Sequence, residues 1–327
     1  MPPALTRRAT AAALLLIASL AAGSARAERL FLSNEKDNTV TVVDAKSLEI
    51  VKTVPVGARP RGLLLSKDDK ELYVCTSDAD HIEVMNTATY NIDRILQSGP
   101  DPETFAISPD GKTLYVSNEN DNLVSILDIA QGRVVDQIPT GVEPEGMAVS
   151  PDGKTLVNTS ETTSMAHFFD TATHKMIASV LVGTRPRYAE FSRDGSLVWV
   201  SSEVAGTVAV IDAGTHKVLQ TIHFDIPGVA KEAIQAVGIN LSKDGKLAFV
   251  ALGPANRVAV IDTKTYAVKK YLLVGQRVWH MAFSQDQQRL YTANGISNDM
   301  SVIDVPNLQV VKSVPVGQSP WGIVDAP

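Results

Sequence analysis

The sequence predicts an all-β fold built from seven similar units, because a short apolar segment that ends in an acid or an amide recurs seven times. The closing residues of this segment are Asp44, Asn86, Asp128, Asp170, Asp212, Asp262 and Asp304. Successive closing residues are 42 positions apart, apart from one step of 50. A near-constant period of this length, with room for four short strands, is typical of propeller blades. We therefore predict a seven-bladed β-propeller with four-stranded blades.

One central repeat shows the four predicted strands. Residues 146–150 form an apolar first strand, and the Pro-Asp-Gly-Lys turn at 151–154 follows. We expect the first strands of the other units to begin at Gly62, Thr104, Tyr188, Gly238, His280 and Gly322. Proline sets φ in such a turn, and glycine tolerates a positive φ. Residues 156–160, 166–170 and 176–182 supply the second, third and fourth strands.

The two ends of the chain predict how the ring closes. After residue 27 the chain begins on a second strand, so residues 28–56 supply three strands of one blade. Residues 320–324 supply the missing inner strand of that blade. Pairing the C-terminal inner strand with the N-terminal three strands closes the ring and leaves no open edge. The longer step of 50 places eight extra residues within 223–235, where one or two helical turns are expected.

The N-terminal residues predict export. Arg7 and Arg8 precede an apolar run at 11–22, and an Ala-Arg-Ala sequence ends at Ala27. This pattern is typical of a secretory signal peptide cleaved before Glu28, and the run is too short to span a bilayer well. We therefore predict a signal peptide at 1–27 and a single propeller domain at 28–327.

Composition narrows the function classes. Removing residues 1–27 removes three of the 30 basic residues, which leaves 27 against 36 acidic ones. An acidic protein is a poor nucleic-acid binder, since the phosphate backbone requires a positive surface. The single cysteine, Cys75, lies in an apolar segment, so we expect a buried thiol and no internal disulfide.

The repeat resembles the YVTN-type β-propeller repeat, most fully in residues 104–128, where Leu-Tyr-Val-Ser-Asn ends at Asn118. A narrower resemblance rests on segments that differ from blade to blade, at 143–150, 157–161, 224–228, 251–258 and 274–279. Together these segments resemble the exported β-propeller proteins associated with pyrroloquinoline-quinone (PQQ)-dependent alcohol catabolism, over essentially all of 28–327. The resemblance implies a periplasmic location and a metabolic association, and it supplies no catalytic residues.

The candidate site residues share one position in the fold. In a propeller, the loops that enter the first strands and the loops between second and third strands meet on one face, around the mouth of the central channel. The candidates at these positions are Arg59, Arg61, Glu103, Glu145, Arg185, Arg187, Arg277, Trp279, His280 and Trp321. A second row, which follows the second strands, contains Glu35, Glu119, Glu161 and Glu203.

Two interpretations of this ring remain open. Its charges can pair with each other as a ring of salt bridges, with the tryptophans as packing. Alternatively, the ring binds a ligand or a partner, because arginine offers a planar fork for carboxylates and tryptophan a flat stacking surface. PQQ is a flat tricarboxylate, so it is the small anionic ligand that this second interpretation favours.

Other chemistries compete with anion binding. Glu35, Glu119, Glu161 and Glu203 offer oxygen ligands for a hard cation such as calcium, although nearby arginines would repel a metal. A lactonase-like hydrolase would use Glu103, Glu145, Arg187 and His280, but no nucleophile or phosphate-loop motif is present. A purely structural interaction module is the third alternative. We favour a non-enzymatic periplasmic binding or accessory propeller of PQQ-dependent alcohol catabolism, whose channel mouth holds a partner protein or a small anionic ligand.

Overall fold

The structure, a computed structural model, describes residues 28–327, which form seven four-stranded antiparallel sheets arranged as a closed propeller. The predicted fold class is confirmed. The predicted signal peptide at 1–27 lies outside the described residues. No helix in the described part of the chain is long and apolar enough to cross a membrane.

Each blade runs from an inner strand at the channel to an outer strand at the rim. The inner strands are β4 (Pro60–Leu65), β8 (Pro102–Ile107), β12 (Pro144–Val149), β16 (Pro186–Phe191), β20 (Ile239–Leu241), β24 (Val278–Phe283) and β28 (Pro320–Ala326). The second strands are β1 (Arg29–Asn34), β5 (Glu71–Thr76), β9 (Thr113–Asn118), β13 (Thr155–Ser160), β17 (Leu197–Ser202), β21 (Leu247–Ala251) and β25 (Arg289–Asn294).

The third and fourth strands complete the blades. The third strands are β2 (Thr39–Asp44), β6 (His81–Asn86), β10 (Leu123–Asp128), β14 (Met165–Asp170), β18 (Thr207–Asp212), β22 (Arg257–Asp262) and β26 (Asp299–Asp304). The outer strands are β3 (Ile50–Pro55), β7 (Ile92–Leu96), β11 (Arg133–Pro139), β15 (Met176–Leu181), β19 (Lys217–His223), β23 (Val268–Leu273) and β27 (Gln309–Pro315).

The core lies between neighbouring blades. The middle residues of second and third strands are buried on both faces, as in β13 and β14, because a blade packs on either side of each sheet. This double burial explains why these strands read as continuous apolar runs rather than alternating ones. The outer strand β15 exposes most of its residues and buries only one fully, since it forms the rim.

The chain ends close the ring as predicted. The C-terminal strand β28 pairs antiparallel with β1, so that Phe31 lies opposite Val324 and Leu32 lies opposite Ile323. One blade therefore combines an inner strand from the C-terminus with three strands from the N-terminus.

Most inner strands begin earlier than predicted. We expected them at Gly62, Thr104, Gly146 and their equivalents, yet six of the seven begin two residues before those positions, five of them at a proline. The register shifts by one residue just after that start, as between Pro144 and Met147 against β13. Such a β-bulge bends the strand and redirects a side chain. The candidate residues Arg61, Glu103, Glu145, Arg187, Trp279 and Trp321 each stand second in an inner strand, at this bulge, and not in the preceding loop.

Glycine lets the inner strands approach each other. A Cβ on Gly146 would lie 2.7 Å from the carbonyl oxygen of Arg187 in the next blade, closer than real contacts allow. Gly62, Gly238 and Gly322 meet the same obstacle in their own blades. The blades therefore pack closely enough for charged side chains of adjacent blades to touch.

The long insertion forms one short 3-10 turn, Lys231–Ala233, rather than a longer helix. Phe224, Ile226 and Ile234 flank it and are buried in the core that surrounds Trp199. Burial of these apolar side chains fixes the insertion against the blade.

Candidate functional site

A repeated backbone arrangement builds the channel mouth. The residue before the inner strand has a positive φ, between 50° and 60°, in six blades, at Arg59, Asp101, Glu143, Arg185, Arg277 and Ser319. This left-handed conformation is costly for residues other than glycine. Hydrogen bonds hold it in place: the N–H of Glu143 donates to Oδ1 of Asn122 at 3.0 Å, and its carbonyl accepts from the N–H of Glu161 at 2.9 Å. The second bond brings the glutamate that follows a second strand beside the inner strand.

One group of ion pairs, the Arg61 cluster, contains Arg59, Arg61, Glu35, Asp78, Asp101 and Glu103. Arg61 donates from Nε to Glu35 at 2.7 Å and from Nη1 to Glu103 at 2.6 Å. Arg59 reaches Glu103 at 3.2 Å and Asp78 at 2.7 Å, and it also pairs with Asp101. Both arginines are therefore engaged by carboxylates.

A second group, the Arg187 cluster, contains Arg185, Arg187, Arg277, Glu145, Glu161 and Glu203. The guanidinium of Arg187 pairs with Glu161 and lies 2.9 Å from Glu145 and 3.7 Å from Glu203. Arg277 reaches Glu203 at 2.6 Å. The side chains of four members, Arg187, Glu145, Glu161 and Glu203, are at least nine-tenths buried, so the pairs among them operate largely out of water.

Glu119 and Glu143 lie between the two clusters. Neither carboxylate forms an ion pair within residues 28–327, and Glu143 accepts only a hydrogen bond from the hydroxyl of Thr162. One oxygen each from Glu119, Glu143 and Glu161 lie within 4.8 Å of one another, and Glu119 stands equally close to Asp101 and Glu103. The mouth therefore carries an acidic sector that its own arginines do not neutralise.

Burial shifts the protonation of these carboxyls. Loss of hydration raises the pKa of Glu103 well above its usual value, and the charges of Glu145 and Glu119 raise it further against the opposing Arg61. Burial likewise raises the pKa of Glu145 and of Glu161, with Arg187 opposing both shifts. Oε2 of Glu145 has no hydrogen-bond partner in the described chain, although the side chain is 1% exposed.

An aromatic layer lies directly below the ion pairs. Arg277 and Arg187 stand over the ring of Trp279, at 4.0 Å and 5.6 Å, and Arg61 stands 5.4 Å from the ring of Trp321. His280 packs 4.1 Å from Trp321, measured between ring centroids. Burial, with Arg187 and Arg61 nearby, lowers the pKa of His280 to about 3, so this imidazole is neutral.

The structure brings the predicted ligand-binding residues together around the mouth, but their charged side chains bind each other in ion pairs. Each of the five predicted arginines has a carboxylate partner, which is the arrangement of the salt-bridge interpretation. Of the four predicted metal ligands, Glu119 and Glu161 share one group of close oxygens. Glu35 and Glu203 belong to no such group within residues 28–327, and arginines bind both.

Sequence reasoning did not single out Tyr188 or Glu190. Tyr188 occupies the inner-strand position that is glycine in four other blades, and its ring lies 5.4 Å from His280. Oε1 of Glu190, two residues on, accepts the N–H of Leu241 at 3.1 Å, and its Oε2 has no hydrogen-bond partner in the described chain. A comparison of the repeats at positions further along the inner strand would have identified both residues as departures from the other blades.

Glu190 gives a prediction about pH. Burial raises its pKa to about 8, against about 4.3 in an unfolded chain. The folded protein therefore binds one more proton than the unfolded chain between these values, and the free energy of unfolding falls as pH rises through this window. For one proton the fall is about 1.4 kcal/mol per pH unit. Glu190→Gln, which keeps the acceptor for Leu241, is expected to remove that contribution.

Urea unfolding at pH 5, 6, 7 and 8 measures the effect. The free energy of unfolding of the wild type should fall relative to that of Glu190→Gln as pH rises from 5 to 8. Glu49→Gln, at an exposed turn, is the matched control and should run parallel to the wild type. Parallel profiles for Glu190→Gln and wild type would contradict the prediction.

Comparison with known proteins places this fold among its relatives. A family model described as YNCE-like beta-propeller matches residues 3–117 and 105–189. None of the curated proteins compared with the sequence matches it significantly.

Several solved structures share the fold at low identity. A functionally unknown protein from Desulfotomaculum acetoxidans is 15% identical, with a TM-score of 0.77 over 91% of this chain and 98% of that one. A proposed 6-phosphogluconolactonase from Bacteroides fragilis is 18% identical, with a TM-score of 0.76 over 93% and 99%. A chain of hydrazine synthase from Kuenenia stuttgartiensis is 20% identical, with a TM-score of 0.72 over 81% and 89%. At these identities the likeness establishes the fold alone.

Proposed function

The chain belongs to the YNCE-like β-propeller family, and from this premise we propose that it is a non-enzymatic binding propeller whose channel mouth recognises a lysine-bearing segment of a partner protein. We further propose, from the resemblance of its blade-specific segments, that it works in the periplasm beside the enzymes of PQQ-dependent alcohol catabolism. The observation that carries the binding proposal is the acidic sector formed by Glu119 and Glu143.

The charge of the mouth favours a cationic partner group. Five arginines face nine carboxylates there, counting the Arg61 cluster, the Arg187 cluster, Glu119 and Glu143. A lysine ammonium has three donors and no acceptor, so it suits carboxylate oxygens that lack a cation of their own. Glu119 and Glu143 are half-buried, so a bound ammonium would be only partly screened by water.

Apolar side chains on the same face add contact area. Val142 adjoins Glu143 and is 43% exposed, while Val204 and Ile296 are 60% and 64% exposed in loops that follow second strands. A protein interface combines such apolar contacts with a smaller number of placed charges. A partner segment that carries a lysine between apolar residues therefore fits this surface.

Direct binding of PQQ has less support from the contacts. A tricarboxylate requires guanidinium groups that are available to it, whereas every arginine of the mouth already holds a carboxylate. An incoming anion would have to displace Glu103 or Glu161 and would leave a buried carboxylate without its cation. PQQ binding stays a prediction, and titration tests it separately.

The experiment compares the protein with purified components of the PQQ-dependent alcohol oxidation system of the same cell, by calorimetry at two salt concentrations. We expect one component to bind wild type, and Glu119→Gln/Glu143→Gln to weaken that binding about 10-fold or more. Glu49→Gln, on the opposite face, is the matched control and should bind as wild type does. Binding should weaken as salt rises.

Three results would count against the proposal. Unchanged affinity in Glu119→Gln/Glu143→Gln would remove the acidic sector from the interface. Saturable binding of PQQ alone below about 100 µM, an affinity near −5.5 kcal/mol, would favour the anionic ligand instead. Calcium binding that the same double substitution abolishes would favour a metal site at these oxygens.

A further inference from the structure

The outer strands of the propeller are open edges, and their charge differs from blade to blade. Each outer strand pairs on one side only, so the other side presents backbone N–H and C=O groups to solvent. Charged side chains on such an edge oppose its pairing with another chain. Six of the seven outer strands in residues 28–327 contain at least one lysine, arginine or aspartate, whereas β15 contains none. The edge of β15 therefore lacks this protection.

The difference is clearest at one position of the repeat, opposite the third-strand residue that stands two before the closing acid or amide. The other six blades carry at this position Lys52, Arg94, Asp136, Gln220, Lys270 and Lys312. In β15 the residue is Ala178, opposite Phe168. Apolar side chains are exposed along β15 instead, with Met176 at 46% and Ile177 at 50%. Leu181, at 68%, is the most exposed large apolar side chain in the described part of the chain.

A neighbouring hydrogen bond shows which backbone groups of β15 face the open edge. The N–H of Val182 donates to the carbonyl of Ser164 at 3.0 Å, on the side of β14. The pairing with β14 is regular from Ala178 to Leu181, and successive strand residues direct their backbone groups to alternate sides. The N–H and C=O of Ser179 and Leu181 therefore point to the open edge. These two residues stand on either side of Val180.

This pattern is complementary to itself. Two copies of β15 that run antiparallel about a two-fold axis at Val180 place Ser179 of each copy opposite Leu181 of the other. Residues that face each other in this way exchange both backbone hydrogen bonds. The Leu181 side chains of the two copies become diagonal neighbours on one face, within reach of each other beside the small Ser179. The pairing therefore covers the most exposed apolar side chain of each copy.

Charge favours a second copy of this chain as the occupant of β15. Two-fold pairing of β3, β23 or β27 would place the lysines of both copies along one short edge, where like charges repel. In β15 the nearest charge is Lys175, just before the strand begins. Antiparallel pairing moves the two copies of Lys175 to opposite ends of the joined strands. An uncharged strand offers no charge for a different protein to recognise, whereas a second copy supplies an equally uncharged and apolar edge.

We propose that β15 pairs with β15 of a second copy of this chain, so that two four-stranded sheets join into one across a two-fold axis. The interface lies on the rim and uses no residue of the mouth, so it does not depend on the proposed partner surface. One strand is a small contact beside the roughly 800 Å² per partner of a standard stable interface. We therefore expect a weak dimer, with a Kd on the order of 10–100 µM.

Sedimentation velocity of the purified protein tests the dimer, over concentrations from about 5 to about 500 µM that bracket this Kd. The sedimentation coefficient is expected to rise from that of a monomer towards that of a dimer. Leu181→Lys gives β15 a charge, as the other outer strands have, and should weaken dimerisation about 10-fold or more. Val311→Lys is the matched control, because Val311 is 57% exposed on β27, and it should dimerise as wild type does.

Three results would overturn the proposal. A wild-type protein that stays monomeric at every concentration would remove the dimer. A dimer that Leu181→Lys leaves unchanged, in a protein that melts as wild type does, would remove β15 from the interface. A monomeric protein that binds a fluorescent peptide copying residues 175–182 would show that the edge accepts a strand of another protein rather than a second copy.

Disulfide trapping tests the register. A mixture of Ser179→Cys and Leu181→Cys proteins should form disulfide-linked dimers faster than either variant alone, because facing residues lie about 5.5 Å apart at Cα, within disulfide range. Cys75 is buried and should not take part. Val311→Cys mixed with either variant is the control and should stay unlinked. A mixture that links no faster than the separate variants would overturn the pairing about Val180.

Discussion

Deleting residues 320–327 is expected to unfold the whole propeller rather than to fray one blade. The deletion removes the inner strand β28 and leaves β1 with an unpaired edge. It also removes Trp321 and Ile323, which are 2% and 5% exposed. Losing buried side chains of this size costs about 3–5 and 2–5 kcal/mol. Together these losses match the entire stability of many domains, roughly 5–15 kcal/mol.

Thermal unfolding followed by circular dichroism checks this expectation. Deletion of Pro327 alone is the matched control, because that exposed residue lies beyond the last paired position, Ala326, and should leave the melting temperature unchanged. A protein that lacks residues 320–327 yet melts at the wild-type temperature would show that ring closure does not hold the fold together.

Replacing Arg187 is expected to cost about 3–5 kcal/mol of the free energy of unfolding at pH 7, because Arg187→Met leaves buried carboxylates without their cation. The side chain of Arg187 is 6% exposed and faces Glu145, Glu161 and Glu203. Arg185 pairs with two of the same carboxylates, but its side chain is 47% exposed. Arg185→Met is therefore the matched control, and exposed pairs of this kind contribute about 1 kcal/mol or less.

The cost of Arg187→Met should also depend on pH. Burial already raises the pKa values of Glu145 and Glu161, and removing the opposing Arg187 raises them further. These carboxyls are protonated in both folded and unfolded chains at low pH, so the penalty is smallest near pH 4 and grows as pH rises. Denaturant unfolding at pH 4 and pH 8 measures it. Equal losses for Arg187→Met and Arg185→Met, or a loss that shrinks with rising pH, would contradict this account.

The sequence predicted the fold well because each blade contains one copy of the same sequence repeat. The spacing between Asp44 and its equivalents gave the number of blades, and the chain ends gave the closing pair of β1 and β28. The starts of the inner strands were wrong by two residues in most blades, because the β-bulge after Pro60 or Pro144 interrupts the alternation from which strands are read. A bulge is a property of two paired strands, and a single strand's sequence does not contain it.

The sequence predicted which residues form the candidate site but not which of them pair with each other. Reading equivalent positions placed Arg61, Glu103 and Trp321 around one mouth, where they are found. Which carboxylate each arginine selects depends on side-chain distances of a few ångströms between blades. Glu119 and Glu161 stand at the same position of successive repeats, yet only Glu161 lies within reach of a guanidinium. Repeat position alone cannot separate the paired residue from the unpaired one.

The left-handed residues of the mouth have a consequence for engineering. Positions such as Glu143 and Arg277 hold a charged side chain in a conformation that glycine would adopt at lower cost. Their backbone N–H groups donate to the side chains of Asn122 and Asn256, which are not among the six left-handed positions. The path of the loop therefore does not depend on the side chain that the left-handed residue carries. Six such positions surround one opening. The ring therefore provides a display scaffold, on which new recognition surfaces can be selected by exchanging side chains while the blades stay as they are.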